Sequence, residues 1–260
     1  MADVLTVLLN YGRYSELLGL IKALRGQTVR PRIAVWNNGP PAEFPGAEIV
    51  IQSSSNLFCM VRWHLASRLG RQYVCILDDD MEVRDERLIE RAVSTCGHYR
   101  DRRIVGRSGK NLSTGPYYYS GGRNVKADGS EKDQFADVLR GSFMFLHVRL
   151  LQQVPMYVPF YHGRGDDILV SLATATSPQF HVVAGWSHDA LRAPVARPHA
   201  LSGERGHYAK RDEIVSQMLS SDMVAWHPPT VRDRMFAPLL HLRTRKHLKE
   251  GRRTAGQPPA

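Results

Sequence analysis

Short apolar runs alternate with amphipathic stretches along the first hundred residues. Val4 to Leu9 is an apolar, β-rich run that ends at the turn cluster Asn10-Tyr11-Gly12-Arg13. Leu17, Leu18, Leu20, Ile21 and Leu24 then recur at helical spacing and stop near Gly26. Arg32 to Trp36 predicts a second strand, closed by Asn37-Asn38-Gly39-Pro40, and Glu48 to Gln52 a third. Met60 to Leu69 predicts a helix, with Val61, Leu65 and Leu69 on one face. Tyr73 to Leu77 is a wholly apolar strand that runs into Asp78-Asp79-Asp80. Asp85 to Tyr99 predicts a further helix, with Leu88, Ile89 and Val93 facing inward. This alternation predicts an α/β fold: a mainly parallel sheet flanked by helices. Such sheets bind ligands beyond the carboxyl ends of their strands.

The second half is less regular. Ser108 to Gln134 is rich in Gly, Ser, Asn, Lys and Asp around Tyr117-Tyr118-Tyr119, and predicts a long loop, either functional or a solvent hairpin. Phe143 to His147 predicts a buried strand. Gly163-Arg164-Gly165-Asp166-Asp167 opens a helix through Ala175, Phe180 to Ala184 is another strand, and Lys210 to Leu219 is helical. From Arg232 to Arg253, eight Lys or Arg stand against Asp233 and Glu250, more than half of the chain's net +10. This predicts a basic C-terminal helix and tail over 231–260, after a single domain over 1–230. That domain divides into a first half, 1–106, and a second, 107–230.

Composition narrows the class. Of 260 residues, 43% are hydrophobic and 23% charged, which supports a buried core and excludes a disordered or collagen-like chain. The net charge of +10 points to a polyanionic partner or an acidic surface. Three cysteines, an odd number without metal-type spacing, argue against a disulfide framework or a zinc site and for a reducing compartment. The sequence has no apolar run near the roughly 20 residues of a membrane span and no basic leader. The expected location is cytoplasmic.

Three clusters carry candidate chemistry. Asp78-Asp79-Asp80 sits at a strand end, where like charges repel and need a compensating cation. Hard oxygen ligands there suit Mg²⁺ or Mn²⁺ on a diphosphate; the alternative is a solvated acidic turn. Asp166-Asp167 opens a helix whose dipole favours anions. A carboxylate there either accepts the proton of an attacking hydroxyl or simply caps the helix. In Arg205-Gly206-His207-Tyr208-Ala209-Lys210-Arg211, a helix starting near His207 puts His207 and Arg211 on one face. An Arg grips phosphate and a neutral His completes a metal shell. His188 is a rival ligand. A nucleotidyltransferase would normally show a Gly-rich phosphate loop after the first strand, and Asn10-Tyr11-Gly12-Arg13 is not one.

In order along the chain, Asn10-Tyr11-Gly12-Arg13, Ile33-Ala34-Val35-Trp36-Asn37-Asn38 and Ile76-Leu77-Asp78-Asp79-Asp80 resemble the nucleotide-sugar half of GT-A (Rossmann-like) glycosyltransferases. They are most similar to the exostosin-like branch, with the wider inverting GT-A superfamily a close competitor. Val138-Leu139-Arg140-Gly141-Ser142-Phe143, Gly165-Asp166-Asp167-Ile168 and His207-Tyr208-Ala209-Lys210-Arg211 extend the resemblance to about Leu219.

The resemblance implies that Asn10, Arg13, Asn37, Asn38 and Asn56 line the nucleotide, with Arg62 a further contact to the diphosphate. Asp78 and Asp79 would meet the donor, and Asp80, with His207, would hold Mn²⁺ or Mg²⁺. Asp166 and Asp167 would face the junction of sugar and acceptor, and Arg211 would neutralise the diphosphate. The implied activity is metal-dependent transfer of a sugar from a UDP-linked donor to an acceptor hydroxyl. Asp167 would be the base in an inverting enzyme or a stabiliser in a retaining one. The charge makes a hydroxymethylated pyrimidine in DNA the leading acceptor. The segment from Arg232 to Arg253 would then track phosphates, and Tyr117 to Tyr119 would stack on a displaced base. One alternative is a cell-envelope glycan or lipid-linked acceptor, with the same segment on an anionic membrane surface. Another is a non-catalytic nucleic-acid-binding module on a transferase scaffold.

Overall fold

The computed structural model describes residues 2–114, 117–156, 163–192, 206–221 and 224, all within one unit, Met1–Trp226. The basic segment 231–260 lies outside the described residues. In chain order the elements begin with β1 (Val4–Asn10), α1 (Tyr14–Arg25), β2 (Arg32–Asn37), β3 (Ile49–Gln52), α2 (Met60–Leu69) and β4 (Tyr73–Leu77). These six lie within a residue or a few of where the apolar periodicity puts them. They are followed by β5 (Glu82–Val83), α3 (Leu88–His98), β6 (Val105–Gly106), β7 (Ser108–Asn111), β8 (Arg123–Lys126), β9 (Gln134–Ala136), β10 (Val138–Leu139) and β11 (Phe143–His147). A 3₁₀ turn over Val148–Gln153 leads towards α4 (Asp166–Thr174), β12 (His181–Val183), α5 (Ser187–Ala190), β13 (Leu191–Arg192) and α6 (His207–Leu219).

The main sheet has eight strands in the order β3-β2-β1-β4-β11-β6-β12-β9. β3, β2, β1 and β4 run parallel. β11 then enters antiparallel to β4 and to β6, while β12 is parallel to β6 and β9 antiparallel to β12. The result is an α/β fold with a mixed, mainly parallel sheet. Two apolar clusters cover its faces. One contains Leu5, Val7, Ala34, Trp63, Ile76, Met144 and Ile168. The other contains Leu8, Leu17, Ile21, Leu24, Leu77, Leu88, Phe143 and Phe145. Alternation along β1 and β4 supplies both, as expected of strands buried on each side.

The reversed β11 matters most for the site. Its register pairs Phe143 with Leu77, the last residue of β4. The segment leading into β11 therefore arrives beside the carboxyl end of β4, and the N–H of Asp78 donates to the carbonyl of Ser142 (3.2 Å).

The segment expected to be a long loop, functional or a solvent hairpin, holds an antiparallel hairpin of β7 and β8. β7, β8 and β10 form a three-stranded antiparallel sheet, and all four residues of β7 are buried. Ser108-Gly109-Lys110-Asn111 carries no apolar alternation, which hides it from pattern reading. Gly109 is required because a Cβ there would collide with the carbonyl of Val138. Lys110 is tolerated because its ammonium donates to the carbonyl of Tyr119 at 2.6 Å. Among the described residues no helix is long and apolar enough to cross a membrane.

Candidate active site

The acidic strand end and the acidic helix start, far apart in sequence, are joined by one buried guanidinium. Asp78 follows directly on β4. Asp166 and Asp167 are the first residues of α4, where the helix dipole favours negative charge. The helix can begin so abruptly because Gly165 adopts φ +83°, and a Cβ there would lie 2.7 Å from the Ile214 side chain. Arg62, in the first turn of α2 and 2% exposed, donates Nη1 to Asp78 Oδ1 (2.9 Å) and Nε to Asp166 Oδ2 (3.0 Å). Trp63 Nε1 donates to the same Asp166 oxygen at 2.7 Å.

A second buried pair lies beside it. Arg211, on α6, donates Nη2 to Asp167 Oδ2 (2.7 Å), and the N–H of Gly141 donates to that oxygen at 3.1 Å. Asp167 Oδ1 accepts from the N–H of Ile168 at 3.0 Å. The Arg211 guanidinium lies over the Tyr119 ring, 4.3 Å from its centre. Gly141 is also the point where the site is tightest, since a Cβ on it would sit 2.6 Å from Nη2 of Arg62.

The electrostatics follow from this geometry. Burial alone would raise the Asp167 carboxyl, but Arg211, Arg62 and the Gly141 N–H outweigh it and hold the group below the ordinary carboxylate value. Burial does raise Asp78, against the pull of Arg62. Its side chain keeps 40% of its surface, so it stands at the edge of the crevice, within reach of a ligand. Burial disfavours the charge on Arg62 and on Arg211. Asp166 and Asp78 override that for Arg62, and Asp167 does so for Arg211, so both remain cationic. Burial, with Asp166 nearby, pushes the Cys59 thiol up to about 12, so it is no nucleophile.

The rest of the acidic triplet is also compensated from within the chain. Arg13 Nη1 lies 2.8 Å from Asp79 Oδ1 and 2.6 Å from Asp80 Oδ2. The cation that three adjacent carboxylates demand is thus supplied by Arg13 and Arg62. Among the described residues, no three His, Cys, Asp or Glu side chains gather as a metal-holding group. That does not disqualify Mg²⁺ or Mn²⁺, which commonly takes one or two carboxylates plus substrate phosphate oxygens. Asp80, with 18% of its side chain exposed, fits a single-carboxylate role of that kind.

No protein-family model matches the chain, and no curated protein matches it. Among solved structures it is similar to a crystal structure of S. aureus TarS, residues 1–349. The TM-score is 0.49 at 12% identity, covering 66% of this chain and 55% of that one. The chain thus spans about half the length of that structure.

The predicted residues fall into two groups. Asp78, Arg62, Asp166, Asp167 and Arg211 converge as described, with Arg13, Asp79 and Asp80 at the adjoining strand end. Asn10, Asn37 and Asn38 frame the ends of β1 and β2, where Asn10 Oδ1 and Asn38 Nδ2 are buried without a hydrogen-bond partner among the described residues. Asn37 Oδ1 accepts from Asn10 Nδ2 (2.7 Å), and its Nδ2 donates to Pro40 O and Gln52 Oε1 (both 2.7 Å). Asn38 Oδ1 accepts from Trp36 Nε1 at 3.1 Å and Leu57 N at 3.2 Å. Asn56 Oδ1 accepts from Phe58 N at 2.9 Å in a local turn. His207 is the first residue of α6. His188 pairs with Asp189 at 2.7 Å beside Gly129.

The three tyrosines of the loop differ in exposure: Tyr117 is exposed and Tyr118 half-buried, but Tyr119 is buried beneath Arg211. Its N–H and that of Ser120 donate to Asp212 Oδ1 at 2.6 and 2.9 Å, which turns the ring inward. Sequence reasoning also missed Trp63 and Tyr119 as parts of the site. An Arg-Trp pair in the first turn of an apolar helix was the available signal for Trp63. Tyr119 gave none, because its partner Arg211 is 92 residues away.

Proposed function

We propose that the chain is a glycosyltransferase that moves a sugar from a nucleotide sugar, UDP-linked, to the hydroxyl of a carbohydrate acceptor of the cell-envelope kind. The observation that carries this reading is the meeting of Asp78 with Asp166 through Arg62, and of Asp167 with Arg211 beside it, at the carboxyl edge of the parallel strands. That edge is where open α/β sheets take nucleotides. The GT-A resemblance of the same segments supplies the reaction class.

In this reading the diphosphate lies between Asp80 and the cationic pair Arg62 and Arg211. Asp80 would hold Mn²⁺ or Mg²⁺ against the phosphate oxygens, and the ion when bound offsets charge on the leaving group. Arg62 and Arg211 are already desolvated and oriented, so they stabilise the departing UDP without reorganising. The acceptor oxygen bonds to the anomeric carbon as the bond from that carbon to the diphosphate oxygen breaks, and the electron pair leaves with UDP. In an inverting displacement the hydroxyl proton passes to Asp167. The hydroxyl becomes strongly acidic as the new bond forms, so a carboxylate held ionised suffices as acceptor despite its low basicity. Trp63 and the Gly141 N–H position the two carboxylates.

A carbohydrate is favoured over a DNA base because the surface beside the site carries Asp212 and Glu213 next to Tyr117 and Tyr208, and those carboxylates oppose a polyanion. The test is equilibrium titration with UDP in Mn²⁺. Saturable binding that weakens in Asp80→Ala supports the reading. Absence of binding to the wild type contradicts it.

A further inference from the structure

Beside the candidate active site, a groove of about 600 Å³ runs between the loop around Tyr117–Ser120 and the outer face of α6. Its size falls in the range of about 300–1,000 Å³ usual for small-molecule sites. Its lining includes Tyr117, Ser120, Tyr208, Asp212, Glu213 and Gln217. On α6, Tyr208 and Asp212 form one i,i+4 row and Glu213 and Gln217 the next, so the helix presents a continuous face to it. We infer that this groove is a subsite for a sugar ring of the acceptor, one unit or more removed from the hydroxyl that reacts. The assignment rests on the transferase reading for the word acceptor, but not for the word sugar.

Three observations carry it. First, the groove displays two large aromatic rings to solvent, with Tyr117 69% and Tyr208 49% exposed. Apolar surface that a fold leaves open beside a cleft marks a binding surface. The flat, C–H-bearing face of a pyranose is suited to such rings, whereas a peptide or lipid chain would need a longer apolar trough. Second, apart from Ala209 the remaining lining is made of carboxylate, amide and hydroxyl groups, which match a sugar's hydroxyls as acceptors and donors. Among the described lining residues none is Lys or Arg, and Asp212 and Glu213 oppose a phosphate or sulfate. The nearby ammonium of Lys110 is held by backbone carbonyls beneath the aromatic rings. It donates to the carbonyl of Tyr119 and lies 4.8 Å from the Tyr119 ring centre and 5.7 Å from that of Tyr208. The groove therefore selects an uncharged or amino sugar, although the chain as a whole is strongly basic. Third, the groove is wired to the site. Asp212 fixes the backbone of Tyr119, whose ring supports Arg211, which in turn holds Asp167. Tyr208 connects to Asp167 through two side chains, Tyr119 and Arg211.

The test measures binding, not turnover, on the full chain. Chitotriose, cellotriose, maltotriose and mannotriose are titrated by saturation-transfer NMR, with a short single-stranded oligodeoxynucleotide as the competing class. The wild type is compared with Tyr208→Ala, Tyr117→Ala and Tyr208→Phe. The expected result is binding of at least one trisaccharide, weakened about tenfold or more by either alanine variant and retained by Tyr208→Phe, which keeps the ring. No trisaccharide bound, or binding indifferent to both alanine variants, overturns the subsite. So does an oligonucleotide, in place of a sugar, whose binding the alanine variants abolish. If the wild type binds a trisaccharide through these tyrosines yet neither binds UDP nor cleaves any UDP-sugar, the groove stands and the transferase reading falls.

Discussion

Arg211 holds Asp167 with an Nη2 to Oδ2 distance of 2.7 Å, and both side chains are more than nine-tenths buried. A pair closed off from water this far is unforgiving of half-removal, because the surviving charge is left desolvated. Asp167→Asn should therefore abolish sugar transfer and also lower stability, by about 3–5 kcal/mol. Adding Arg211→Gln to Asp167→Asn should restore a substantial part of that stability while leaving transfer absent. Urea unfolding of the two single variants and the double variant measures the coupling. Additive losses would show that the pair is not formed.

The same pair dictates a pH dependence whose sign can be worked out. In the wild type the folded carboxyl of Asp167 lies below the ordinary value of 3.8. Its contribution to stability is therefore complete above that value and is lost as pH falls through the folded value. Asp78 works in the opposite sense. Its folded value is raised, so its ionised form is disfavoured at neutral pH and relieved as pH falls, an effect that water screens because 40% of the side chain is exposed. In Arg211→Gln, burial, already the largest influence on Asp167, is opposed only by Arg62 and the Gly141 N–H, so its value rises. That variant should then lose less stability than the wild type as pH falls through the acidic range. Denaturation midpoints across this range decide the point, and parallel profiles for the two proteins would argue against it.

Gly141 is a steric requirement set by Arg62. Its backbone has no unusual φ, so alanine costs nothing in conformation, but the added methyl would lie 2.6 Å from Arg62 Nη2. Arg62 is tethered at both ends and cannot easily retreat. Gly141→Ala should lower stability by about 1–3 kcal/mol and weaken UDP binding, as the guanidinium leaves Asp78 or Asp166. Wild-type affinity with wild-type stability would show that the loop has room to move.

Arg13 bridges Asp79 and Asp80 at a partly exposed position, so Asp80→Ala should change stability by less than about 1 kcal/mol. Its effect should fall on the metal. The enhancement of UDP binding by Mn²⁺ should drop at least about tenfold, with little change in affinity measured in a chelator. An unchanged Mn²⁺ response would remove Asp80 from the proposed metal role.

The first half of the sheet was legible because its strands are apolar on both faces and its helices keep a clean apolar stripe. Val4–Asn10 and Tyr73–Leu77 are examples. The carboxylates of the site were legible too, since acidic residues at a strand end and at a helix start stand out. Their partners were harder to see. Arg62 reaches Asp166 across 104 positions, and Arg211 reaches Asp167 across 44, contacts that no local pattern encodes. The polar strand Ser108–Asn111 escaped for a different reason. Its burial depends on Gly109 admitting a neighbouring backbone and on carbonyls that receive the Lys110 ammonium. The inward turn of Tyr119 depends likewise on Asp212, 93 residues on.

The central claim is that Asp78, Arg62, Asp166, Asp167 and Arg211 form a site that breaks the bond between a sugar and a nucleoside diphosphate. Its most direct test is mass-spectrometric detection of UDP release from a panel of UDP-sugars in Mn²⁺, with and without neutral oligosaccharides. Wild type and Asp167→Asn are run side by side. The account predicts UDP release from at least one donor, an oligosaccharide heavier by one sugar, and loss of that product in Asp167→Asn. Wild-type protein that is folded yet releases no UDP from any donor, or an Asp167→Asn variant that transfers at the wild-type rate, would contradict it.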